Sequence, residues 1–110
     1  MKSYTDLEQS KKLAEILPIT SADMVYIDAG YCSRVLPSND IDANSYPTIC
    51  PCWSLAALLT HIPNVSLHHT PSGWRADSST ERKTVFGPSQ DNSIDACYEM
   101  ILKLNELKML

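Results

Sequence analysis

Only three residues, Pro71-Ser72-Gly73, separate the extended segments VSLHHT (65–70) and WRADSS (74–79). A connection this short closes a hairpin, because parallel neighbours need a crossover of a dozen or more residues. Proline presets φ and glycine accepts positive φ, so the three residues are also sound turn chemistry. The strands of this chain are therefore expected to pair antiparallel.

The remaining patterns fill in around that hairpin. Thr5 followed by Glu8 has capping-box spacing, and Leu7, Leu13, Ala14, Ile16 and Leu17 form one apolar stripe. Together they predict a helix over 5–17, ended by Pro18. ADMVYIDAGYCSRVL predicts strands at 24–28 and 31–35 turning near Ala29-Gly30, and PSNDIDANSYPTI (37–49) reads as a surface loop. PCWSLAALLTHI, between Pro51 and Pro63, reads as a second helix. It is apolar all round and hence expected to be buried and central, with Pro51 at its first position. KTVF adds a short strand, and Asp91, Asn92 or Ser93 caps a last helix running to about 108. The stripe of that helix comprises Ile94, Cys97, Tyr98, Ile101, Leu102 and Leu104, with Met100 and Leu107 outside it. The order of elements predicts an α+β fold: one small antiparallel sheet with about three helices packed mainly on one face. At 110 residues, 1–110 is expected to form a single domain.

Charge narrows the function classes. A net charge of −4 with scattered lysines and arginines argues against nucleic acid and anionic membrane surfaces as partners. MKSYTDLEQSKK has no apolar core of the kind a secretory signal needs, and no stretch approaches a membrane span. A cytoplasmic location with reduced cysteines is the expectation.

Four segments carry a resemblance: YTDLEQSKKLAEILP, PCWSLAALL, GWR and DNSIDACYEMILKLNELKML. They resemble a group of small uncharacterised proteins of Bacteroides-type gut bacteria and their phages, over the whole chain except 29–47 and 76–90. The resemblance implies a cytoplasmic accessory protein, associated with phages or prophages, and carries over no catalytic residue.

Candidate chemistry centres on Cys50-Pro51-Cys52. With Pro51 opening a helix, Cys50 becomes the N-cap and Cys52 lies in the first turn, where the helix dipole lowers a thiol pKa. Burial as ordinary core residues is the competing reading. A metal site finds little support: the spacing is CxC rather than the CxxC of zinc clamps, and Cys32, Cys97, His61, His68 and His69 are the only further Cys and His ligands. Strand alternation sends His68 and His69 to opposite faces. For a thiol–imidazole pair, His61 is about 13 Å along the same helix from Cys52, which leaves His68 or His69 as catalytic partners of Cys50 or Cys52. Asp23, Asp28, Asp40 and Asp42 read as solvated surface, and three isolated glycines form no phosphate loop. Trp74 and Arg75 are candidate binding residues, being types enriched at interaction hot spots.

No cofactor is called for, and no catalytic constellation has workable geometry. The leading expectation is therefore a non-enzymatic interaction module with a protein partner, and the alternative is a thiol-dependent enzyme or redox protein. The last helix carries apolar residues beyond what one sheet needs, including Leu102, Leu107, Met109 and Leu110. That surplus suggests a homodimer through the C-terminal helix, extended by Trp74, unless the 37–49 loop covers it with Ile41 and Tyr46.

Overall fold

The computed structural model describes residues 2–30, 33–39 and 46–110. The elements run α1 (Leu7–Ala14), a 3₁₀ turn (Ile19–Ser21), β1 (Met24–Asp28), β2 (Ser33–Pro37), β3 (Thr48–Cys52), α2 (Leu55–Leu59), β4 (Ser66–Thr70), β5 (Gly73–Ser79), β6 (Thr84–Phe86) and α3 (Ser93–Glu106). The class is α+β with antiparallel pairing throughout, as the hairpin spacing requires. The strands divide between two three-stranded sheets, β2-β1-β3 and β4-β5-β6, where one sheet was expected. Two compact units correspond to them: Tyr4–Ala57, and Met1–Ser3 with Leu58–Leu110.

In the Tyr4–Ala57 unit, the cap of α1 lies one residue later than Thr5/Glu8 predicts. The Asp6 carboxylate accepts from Gln9 N at 2.8 Å and the Gln9 side chain accepts from Asp6 N at 3.1 Å, a complete capping box. The helix closes at Ala14 rather than 17. The larger correction concerns 48–52, which is strand where the end of the 37–49 loop and the start of a helix at Cys50-Pro51 are expected. Proline is tolerated there because β3 is, among the described residues, an edge strand paired with β1, and Pro51 sits opposite Val25. Tyr26 faces Cys50 while Ile27 faces Thr48, so Ile49 is the extra residue of a β-bulge. The second helix is consequently reduced to five residues, all apolar but not buried all round: Leu58 is fully buried, Leu59 is half-buried and Ala56 is exposed. Ser54 precedes it, its hydroxyl accepting from Ala57 N at 3.3 Å, and the Asp23 carboxylate in turn accepts from both Ser54 N and its hydroxyl. Asp23 is exposed, as expected, and also braces the start of the helix. Asp28 accepts from Gly30 N at 2.8 Å and shapes the chain after β1. Tyr31 and Cys32, which open the strand expected at 31–35, and Asp40, Ile41 and Asp42 of the 37–49 loop lie outside the described residues; Tyr46 is exposed.

In the Leu58–Leu110 unit, the β4–β5 hairpin forms as expected. Gly73 has φ +124, and a Cβ there would stand 2.3 Å from the Gln90 carbonyl oxygen, so no other residue fits without backbone movement. Strand β5 backs onto α3, which Asn92 caps by accepting from Asp95 N at 2.8 Å. Ile94, Ala96, Cys97, Met100, Ile101 and Leu104 of α3 are fully buried. Met100 therefore belongs to the core, correcting its placement outside the stripe, whereas Tyr98 and Leu102 are half-buried and Leu107 is exposed. Among the described residues, no helix is long and apolar enough to cross a membrane.

Candidate functional site

The two cysteines of the CxC motif project to one face of β3, as residues two apart on a strand must, and both are buried. Cys52 lies within a polar knot built on Thr5. The Thr5 hydroxyl is 2.7 Å from Ser10 Oγ and 3.6 Å from Cys52 Sγ, and accepts from Trp53 N at 3.2 Å. The Thr5 carbonyl accepts from the Tyr26 hydroxyl at 2.9 Å and from Cys52 Sγ at 3.4 Å. Both thiols belong to strand β3 and neither lies in the first turn of a helix. Burial pushes Cys52 up, against the opposing pull of its hydroxyl neighbours, and pushes Cys50 up, with the Cys52 thiol adding to the rise. Burial likewise raises the Tyr26 phenol to about 12 and the Cys97 thiol to about 11. The placement of Cys50 and Cys52 at the start of a helix is therefore corrected to a strand.

The histidine candidates, His68 and His69, belong to the other unit with Trp74 and Arg75. Register separates them into two faces of the hairpin. His69 faces Trp74 across the β4–β5 ladder and stacks on it, with centroids 4.5 Å apart and rings 23° from parallel. His68 faces Arg75 on the opposite side, with Nε2 3.3 Å from Asp77 Oδ2. Arg75 Nη2 donates to Asp77 Oδ2 at 3.1 Å, while Nε lies 3.0 Å from Oδ1 but off hydrogen-bond alignment. The buried Asp77 carboxylate is thereby held between the Arg75 guanidinium and the His68 imidazole on the same sheet face.

Asp77 also faces Phe86 across β5–β6, and the Arg75 guanidinium stands 5.7 Å from the Phe86 ring centroid. Phe86 is the chain's one phenylalanine and is 59% exposed. It lines an open groove of about 500 Å³ together with Pro88 and, from α3, Glu99, Leu102, Lys103 and Glu106. Glu99, Leu102 and Glu106 stand at i, i+3 and i+7 and share one side of the helix. Lys103 Nζ donates to the Phe86 carbonyl at 2.9 Å, tying the end of β6 to α3. Gly87, the next residue, packs closely: a Cβ there would meet the Ala76 carbonyl oxygen at 2.5 Å.

The other unit carries a smaller open groove of about 210 Å³ lined by Ile19, Ala22, Met24, Val25, Thr48 and Pro51, among others. Among the described residues its lining includes no charged side chain. Among the described residues, no three His, Cys, Asp or Glu side chains gather to hold a metal ion.

Of the residues singled out from sequence, Arg75 stands over the Phe86 ring and Trp74 lies on the other face of the sheet. Sequence reasoning passed over Asp77, Phe86, Glu99 and Glu106. A signal for Phe86 was present in KTVF, where alternation places Val85 inward and its neighbour outward. Comparison with protein families, with curated proteins and with solved structures finds no match to this chain.

Proposed function

We propose that the protein is a non-enzymatic protein-interaction module that docks a protein partner on the α3–β6 face. The observation that carries this reading is exposed Phe86, which lines an open groove together with Pro88, Leu102 and several charged side chains. An aromatic anchor at an open groove inside a polar rim is the usual anatomy of an interface. Leu107 and Leu110, just beyond the end of α3, are also exposed, at 42% and 50%. Self-association through the C-terminal helix is one form such docking takes. The alternative of thiol chemistry has less support, since burial raises the Cys50 and Cys52 pKa values and so depletes the thiolate that does the chemistry.

The test places a photo-crosslinking residue at Phe86, and in a second variant at exposed Glu8, in the full chain expressed in its native host. A discrete adduct at position 86, absent at position 8 and abolished by Leu102→Asp with unchanged circular dichroism, is the expected result. Equal labelling at both positions, or none at 86, would remove the reading.

A further inference from the structure

We infer that the α3–β6 groove takes a cationic, apolar-anchored peptide segment of a different protein, an inference that rests on the interaction-module reading. The groove is lined by Phe86, Pro88 and Leu102, and α3 adds Glu99 and Glu106 on either side of Leu102. Among the described residues, neither carboxylate takes an ion pair. The one ammonium in the wall, Lys103, is turned to the Phe86 carbonyl, and the nearby Arg75 is matched by Asp77. The charges left for a partner are therefore negative. A segment with Lys or Arg flanking an aromatic or branched aliphatic residue places its anchor on Phe86 and Leu102 and its cations at Glu99 and Glu106.

The same charges disfavour a second copy as occupant. Two α3 helices pairing antiparallel about Leu102 and Lys103 set Glu99 of one copy opposite Glu106 of the other. An isologous contact repeats that like-charge clash at both ends of the patch. A foreign basic segment meets no such clash.

Two synthetic dodecapeptides probe this, one built of Lys, Leu and Phe and the other with Glu at every Lys position. Each is labelled and titrated with the full chain, with binding read by fluorescence anisotropy. The lysine peptide is expected to bind, at least tenfold more tightly than the glutamate peptide. Glu99→Gln/Glu106→Gln is expected to weaken it at least fivefold, while the charge-matched Glu8→Gln/Glu81→Gln leaves it unchanged. Equal loss in both double variants would mean diffuse attraction to an acidic protein, and would overturn the inference. So would equal binding of the two peptides, no binding, or a sedimentation mass of two chains reduced to one by Leu102→Asp. In those cases the crosslink at Phe86 still decides the broader reading, because it depends on no assumed partner charge.

Discussion

Replacing Thr5 with valine keeps the shape of the side chain and deletes one hydroxyl from a fully buried site. Two consequences follow from the contacts. The Trp53 N–H loses the acceptor at 3.2 Å and stays buried, which costs about 1 to 3 kcal/mol. The Ser10 hydroxyl loses its 2.7 Å partner but keeps the Thr5 carbonyl at 3.5 Å, so the net loss there is about 1 kcal/mol. The expected total is about 2 to 4 kcal/mol, a large part of the stability of an ordinary domain. With a urea m-value of about 2 kcal/mol per molar, the midpoint falls by about 1 to 2 M. Thr5→Ser keeps the hydroxyl and removes only a methyl group, at about 1 kcal/mol. Thr5→Val/Ser10→Ala should cost less than the sum of its parts, because the two side chains share a hydrogen bond. Urea unfolding followed by tryptophan fluorescence checks the series. A Thr5→Val loss below about 0.5 kcal/mol, or a Thr5→Ser loss larger than that of Thr5→Val, would refute the view of Thr5 as a hydrogen-bonding hub.

Other consequences are more local. Met100→Ala should cost about 2 to 5 kcal/mol in the same assay, while Leu107→Ala, at an exposed position, should stay within about 0.5 kcal/mol. Lys108 closes α3 in the left-handed region, at φ 57, with Met109 N donating to the Leu104 carbonyl at 2.9 Å. Lys108→Gly should therefore raise stability by about 0.5 to 1 kcal/mol in thermal or urea unfolding. The Cys97 thiol is raised from 9.0 to about 11 in the folded chain. Its contribution is complete below pH 9 and is lost as pH climbs through 11, because the folded state there holds the proton more tightly than the unfolded state. Urea midpoints measured across that window should fall with pH, and by less in Cys97→Ala.

The reading of the fold from sequence succeeded where local chemistry decides. Pro71-Ser72-Gly73 fixes its hairpin, and the Asn92 cap and apolar period of α3 suffice to place that helix. It slipped where tertiary context outweighs local preference. Thr5/Glu8 and Asp6/Gln9 both fit a cap pattern at the start of α1, and burial of Thr5 against Trp53 and Ser10 selects the second. Pro51 before an apolar run is strong helix-start chemistry, yet an edge position beside β1 accommodates it in a strand. Met100 was misjudged because an idealised stripe is narrower than the face α3 buries. The groove was illegible for a different reason. Its lining comes from Phe86 to Pro88 and from Glu99 to Glu106, and no sequence period links two segments that meet only through packing.

The most direct test of the account is a map of where a basic peptide touches the protein. The uniformly ¹⁵N-labelled full chain, titrated with the Lys-Leu-Phe dodecapeptide, should show its largest amide shifts at Phe86, Gly87, Glu99, Leu102, Lys103 and Glu106, the residues that line the groove. Shifts centred instead on Ile19, Met24, Val25, Thr48 and Ala22 of the other groove, or spread evenly over the surface, would contradict it.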